Sequence, residues 1–150
     1  MLELMVNLRY AVSRIGLQVA RLNSAYQRTR DPRIAELMYK LLRLQAALEV
    51  LTVKLETILH VGILSSEALS TIREVVSMLR GEYGDVAPGL ASMLADLENS
   101  VTAIASLTGV ELPAYTHQDT SLSDEARRIL EEANIIAQQR MEELRVREGT

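Results

Sequence analysis

The chain of 150 residues contains no cysteine, no phenylalanine and no tryptophan, and only 3 prolines, 7 glycines and 2 histidines. Without cysteine there is no disulfide framework, no thiolate metal site and no cysteine nucleophile. His60 and His117 are too far apart to form a helical His-x-x-x-His pair. No run of 18 or more uncharged apolar residues occurs, so no transmembrane helix is expected. The opening residues, MLELMVNLRYAV, lack a basic leader and a small-residue cleavage site. They do not read as a signal peptide, and a cytosolic protein is expected. Aromatic residues make up only 3% of the chain, all of them tyrosine. The core must therefore be built from Leu, Ile, Val, Ala and Met. With so few glycines and prolines, this mixture suits helices packed on helices and argues against a β-sandwich or barrel. The length is that of one domain.

Charge is present but unevenly placed. The net charge is −4. Residues 1–54 carry nine basic and four acidic side chains, about +5, and the remainder carries seven basic and sixteen acidic, about −9. Such a split suggests contact with an anionic surface or one half folding on the other. Segregation on solvated faces is the plainer reading.

Helical periodicity dominates. Over residues 2–29, Leu4, Leu8, Ala11, Ile15, Val19, Leu22 and Tyr26 recur every three or four positions, predicting one long helix. Arg14, Arg21 and Arg28 share its opposite face. TRDPR follows, with Asp31 as a helix N-cap and Pro32 in the first turn. A turn this short returns the next helix antiparallel to the first. That helix carries a heptad seam from Ile34 to Ile58, with leucine at six of its eight positions. Met38, Leu42 and Val53 widen the stripe. Gly62 and Ser65–Ser66 are weak terminators, which leaves 33–80 as one bent helix or two. GEYGDVAPG at 81–89 is a clear break, with Asp85 as a candidate N-cap. A further helix is expected to about Leu107, with Leu90, Leu94, Leu97, Val101, Ile104 and Leu107 on one side and Gly109 as its C-terminal stop. Residues 110–122 are not periodic. A last helix opens near Ser123, with Asp124 and Glu125 in its first turn. Its apolar stripe is narrow: Ala126, Ile129, Leu130, Ala133, Ile136, Ala137 and Leu144. The expected organisation is a helical core at 1–109, a linker at 110–122 and a regulatory C-terminal helix at 123–150. The expected fold class is all-α: a long antiparallel helical hairpin with shorter helices packed on it and a tethered C-terminal helix.

Nothing in the chain assembles a reaction centre. The glycines at 81–89 lack the lysine and the preceding strand of a phosphate loop. No Ser-x-x-Lys or Gly-x-Ser-x-Gly is present. Glu56 and His60 are four positions apart, where an inward-facing di-iron helix needs three. No nucleophile, base and orienting group come together, so the chain is expected not to be an enzyme and to hold no cofactor or metal. The basic face, Arg14, Arg21, Arg28, Arg33 and Lys40, suits anionic lipid headgroups or a polymer contact. The hairpin does not resemble a helix-turn-helix, and nucleic acid is not an expected partner.

This order of features resembles the ESCRT-III proteins, and within them the archaeal cell-division branch called CdvB. The resemblance rests on ALEVLTVKLETIL (47–59), GEYGDVAPGLASMLADLENSVTAIASLTG (81–109) and SDEARRILEEANIIAQQRMEEL (123–144). It implies a non-enzymatic, membrane-remodelling polymer subunit acting in archaeal cell division or vesicle budding. Such a subunit alternates between a closed, autoinhibited monomer and an open filament. The implied partners are copies of itself or paralogues, an anionic membrane surface, and a hexameric AAA ATPase that grips subunits through MIT domains. Arg140, Met141, Leu144 and Arg145 resemble the second half of a type-1 MIT-interacting motif, with Met141 in place of leucine. Family members often carry a membrane-inserting segment before the first helix. Here Met1 lies inside the helical pattern with no Trp or Phe nearby, as expected of a shortened paralogue, a truncated chain or a member recruited to membrane by partners. The implied location is peripheral, at the membrane or division site. The rival class is a non-polymerising helical adaptor that binds a protein partner.

Overall fold

The computed structural model describes residues 2–62, 65–87, 89–109 and 123–148, with side chains described within 3–144. Five helices follow in order: α1 (Leu2–Thr29), α2 (Pro32–Val61), α3 (Ser66–Tyr83), α4 (Leu90–Thr108) and α5 (Asp124–Glu148). The described residues contain no strand. The expected linker at 110–122, with Pro113 and His117, lies outside them.

α1 and α2 form the hairpin. Arg9 pairs with Glu56, and Gln45 donates to the Val12 carbonyl, so the two helices run antiparallel. The turn is local chemistry. Arg30 closes α1 at φ 55, and its N–H donates to the Tyr26 carbonyl at 2.7 Å. The Asp31 carboxylate then accepts from the Arg33 N–H at 2.9 Å and caps α2. That bond, and the Arg33 guanidinium beside it, hold the Asp31 pKa below the usual carboxylate range.

The long apolar pattern after Pro32 is two helices. α2 ends where Gly62 adopts φ 77 and donates to the Ile58 carbonyl at 2.9 Å. α3 starts where the Ser65 hydroxyl accepts from the Ala68 N–H at 3.1 Å. A left-handed glycine followed by a serine cap stops one helix and starts the next. Two expected boundaries shift. α3 continues through Gly81 to Tyr83, because Tyr83 is buried and anchors the last turn. The next N-cap is Gly89 at φ 84 and not Asp85, and it offers no side-chain acceptor. Gly109 does close α4, at φ 71.

α3 and α4 form a second, shorter hairpin against the first, tied by Arg80 and Glu98 at 2.7 Å. α5 runs back along α2, with Glu125 beside Lys54 and Asn134 beside Arg43. One apolar core joins all five helices: Leu8, Ile15, Leu44, Leu48, Leu51, Ile72, Leu79, Leu94 and Val101 are at its centre, and Ala126, Ile129, Ala133 and Ala137 of α5 complete it. Two expected stripe residues stay outside it. Leu107 is 87% exposed at the last turn of α4, and Val53 is 62% exposed in the groove between α1 and α5.

Candidate interaction surfaces

The first surface is the face of the hairpin on which α5 lies. α5 buries three alanines and one isoleucine there, with Leu130, Ile136, Met141 and Leu144 half-buried along its margin. Small side chains let the helices approach but remove little apolar area from water. Polar contacts supply the rest. Lys54 pairs with Glu125, and burial lowers the Lys54 pKa. Arg43 Nε donates to Asn134 Oδ1 at 2.5 Å. Arg140 donates to Glu49 Oε2 at 2.5 Å and to Gln45 Oε1 at 3.2 Å. Gln45 also donates from Nε2 to the Val12 carbonyl at 3.1 Å, so one amide joins α1, α2 and α5. Gly16 makes room for it: a Cβ there would lie 3.0 Å from Gln45 Nε2.

Arg43 is the second joint. Its guanidinium lies 6.0 Å from the Tyr39 ring centroid and 5.8 Å from that of Tyr83, and 3.8 Å from a Glu82 carboxylate oxygen. It thus holds α2, the end of α3 and α5 together. Burial, with Glu82 alongside, pushes the Tyr83 phenol up to about 12. At the start of α5, the Ser123 N–H donates to Glu74 at 2.8 Å, and the Ser123 hydroxyl accepts from the Ala126 N–H at 3.2 Å.

Neither Gln45 nor Arg43 stood out in the sequence as a site. The signals were present: a glycine inside α1, and a glutamine and an arginine flanking the leucine seam. Both are long-range roles, which periodicity does not report.

The second surface is the basic face. Part of the charge split is internal, because Arg9, Arg43 and Lys54 turn to Glu56, Glu82 and Glu125. The five expected residues remain at the surface, but not as one patch. Arg21 and Arg28 are exposed on α1 and form no ion pair with a described residue. Arg33, its side chain 89% exposed, bonds to Asp31 at the hairpin tip, where Arg30 stacks on Tyr26 with its guanidinium 5.7 Å from the ring centroid. Lys40 lies 3.7 Å from Glu36. Arg14 stands apart, about 21 Å along α1 from Arg28. It donates to the Tyr10 hydroxyl at 3.3 Å and lines a groove beside α4 with Glu3, Asn7 and Asp96. The tip is a concentrated cationic end, and Arg14 belongs to a mixed-charge groove.

The MIT-like residues are engaged in this conformation. Arg140 is committed to Glu49 and Gln45, and Met141 and Leu144 pack against the core. The Arg145 side chain lies outside the described residues. His60 is exposed on the last turn of α2. Among the described residues no group of three or more His, Asp or Glu could hold a metal ion, and no helix is long and apolar enough to cross a membrane.

Comparison with known proteins adds a further observation. The chain is 33% identical over 110 residues to Cell division protein B1 of Sulfolobus acidocaldarius, covering 73% of this chain. The chain is a CdvB-like protein. The resemblance read from 47–59, 81–109 and 123–144 therefore points to the right family. The CdvB-like chain spans about half the length of this relative, 50% by alignment. No family model matches the chain. No solved structure matches it significantly.

Proposed function

We propose that this chain is a membrane-remodelling polymer subunit of ESCRT-III type, acting in archaeal cell division or vesicle budding. It has no catalysis of its own. The observation that carries this reading is the docking of α5, by an alanine-rich strip and a polar clasp, on a hairpin whose tip is left cationic, in a relative of a cell-division protein. The docked form is the closed monomer of this reading. When α5 leaves, the surface of α2 that it covered is free for a neighbouring subunit, either a second copy or a paralogue. The tip arginines Arg21, Arg28 and Arg33 face anionic headgroups, each contributing about 1 kcal/mol near the surface. Undocking also frees Arg140, Met141, Leu144 and Arg145 for the MIT domain of a AAA ATPase. One helix thus serves as latch and as handle, and the two uses exclude each other. The protein works peripherally, at the membrane of the division site.

The test is microscopy and sedimentation of residues 1–150 and 1–118, at low and high salt, with and without anionic vesicles. Filaments, rings or coated tubules from the shorter chain, under conditions that keep the full chain monomeric, are the expected result. A fixed oligomer under every condition overturns the reading and leaves a helical adaptor.

A further inference from the structure

α1 carries a second seam opposite the first. Leu4, Leu8, Ala11, Ile15 and Val19 face the bundle. On the other side, Val6, Tyr10, Ser13, Leu17, Ala20 and Ser24 recur at spacings of four, three, four, three and four, and all six are exposed. At the rotation of an α-helix they lie within about 40° of one line, over about 27 Å. None is charged. Val6, Tyr10 and Leu17 are 62%, 59% and 62% exposed. α4 lies on the flank of α1 that carries Asn7, whose amide meets Ser100 at 3.3 Å, and leaves the seam open. Alternating steps of three and four are the period of a two-helix contact.

The order of side-chain sizes selects the occupant. Consider a second copy of α1 laid antiparallel, with the two-fold axis level with residue 15. Val6 then faces the partner's Ser24, Tyr10 faces the partner's Ala20, and Ser13 faces the partner's Leu17. Every large residue meets a small one, the arrangement in which facing layers interdigitate. A parallel pair would set Tyr10 on Tyr10 and Leu17 on Leu17, with holes at the serines. The charges agree. In an antiparallel two-fold pair, like flanks adjoin. Glu3, Arg21 and Arg28 share a flank, so Glu3 falls beside the partner's Arg28, and the Tyr10 ring beside the partner's Arg21. Arg14 is the one unfavourable member, near its own symmetry mate. It is drawn aside by the Tyr10 hydroxyl at 3.3 Å and toward α4, where its Nη2 would lie 3.9 Å from a Gly89 Cβ.

We propose that this seam is a self-contact, in which α1 of one copy pairs antiparallel with α1 of a second. The proposal rests on the self-assembly reading above and names a surface for it. It is distinct from the α2 surface that α5 covers, so it is open in the closed monomer too. A single seam of this length is small for a stable interface. It gives a weak pair that strengthens when repeated in an array.

Because the native chain has no cysteine, engineered thiols report cleanly. Tyr10→Cys and Ala20→Cys are exposed changes, and within one helix they stand about 15 Å apart, too far for an intrachain disulfide. The full-length double variant is oxidised over a range of concentrations, beside each single variant. The expected result is a covalent dimer from the double variant, with at least tenfold less from either single one, and its loss when Leu17→Arg is added. Equal cross-linking by Tyr10→Cys alone means a parallel pair and overturns the proposal. Assembly by sedimentation without any 10–20 cross-link overturns it and leaves the self-assembly reading standing. A chain that stays monomeric at every concentration, without cross-links, overturns both. Vesicles of phosphatidylserine and phosphatidylcholine that shield the Tyr10→Cys thiol from maleimide, with no cross-link formed, assign the face to lipid and overturn it as well.

Discussion

α1 and α5 both lie along α2, and they are held by different means. α1 buries Leu4, Met5, Leu8, Ile15 and Val19 with Ala11. At roughly 1.5–3 kcal/mol for each large side chain, that seam is a permanent part of the fold. α5 buries Ala126, Ala133 and Ala137, and one large side chain, Ile129. What it lacks in area it replaces with Lys54–Glu125, Arg43–Asn134 and Arg140–Glu49. Half-exposed ion pairs contribute little each and weaken with salt. Apolar area makes a contact that forms once. A small apolar strip with a polar clasp makes one that can open within the lifetime of the folded hairpin.

The largest expected effect comes from equal cuts at the two interfaces. Leu48 is fully buried in the hairpin. Leu48→Ala should cost about 2–5 kcal/mol and lower the melting temperature of the whole domain. Ile129→Ala removes a similar volume from α5, but its cost should appear elsewhere. Hydrogen exchange of the α5 amides should accelerate, while exchange in α1 and α2 and the melting of the hairpin stay near the wild type. A common loss of protection across all five helices would mean that α5 is as integral as α1, and the comparison would fail.

Much of this division can be read from the chain itself. The three-and-four spacing from Ile34 to Ile58, the Asp31–Pro32 cap, Gly62, Gly109 and the first turn after Ser123 are local signals, and local signals place helices. The poverty of the α5 stripe is also visible, because alanines stand where α2 has leucines. The partners that secure α5 are not visible. Gln45 reaching the Val12 carbonyl past Gly16, and Arg43 between Tyr39 and Tyr83, join residues far apart in sequence. No periodicity encodes such pairs. Exposure of Val53 and Leu107 was hidden for the same reason: a helix pattern reports which side is apolar and not where the neighbouring helix ends. The basic residues were legible as a set, and only the fold separates Arg14 from the tip.

Arg140→Ala tests the clasp directly. Both partners of Arg140–Glu49 are about one-third exposed, with side-chain accessibilities of 33% and 33%. Screening limits the pair, with its bond to Gln45, to about 1–2 kcal/mol. The undocked population should rise about 5–30-fold. A spin label or fluorophore pair between α2 and α5 would read it. High salt should reproduce part of the effect in the wild type and less of it in the variant, where Lys54–Glu125 is left to screen. Equal salt sensitivity in both would place the clasp elsewhere.

Alkaline pH should loosen the α3–α5 corner without touching the leucine seam. The folded-state pKa of Tyr83 is about 12, above the ordinary 10. Between these values the folded state holds a proton that the unfolded state has released, so stability falls as pH rises from 10 to 12. Below pH 10 the contribution is fully present. Tyr83→Phe should abolish that slope, observed as melting temperature against pH, while tyrosine absorbance at 295 nm loses its highest-titrating component. A slope that persists in Tyr83→Phe would move the cause to another group.

Gly16→Ala should give the smallest change in stability and separates the two interfaces most sharply. A glycine inside a helix costs about 1 kcal/mol relative to alanine, so α1 gains from the change. The new Cβ would stand 3.0 Å from Gln45 Nε2, tighter than ordinary packing. The amide must move, and it then loses the Val12 carbonyl that accepts from it. A lost hydrogen bond costs about the same amount, so the melting temperature should hold within a few degrees. The displacement carries further, because Gln45 Oε1 is also the acceptor for Arg140. α5 should therefore release more often in a domain that melts no earlier. A double variant, Gly16→Ala with Arg140→Ala, should then show less release than the sum of the two single changes, since both cut the same junction. Strict additivity would mean that Gly16 supports only the hairpin and that Gln45 does not couple the two faces of α2.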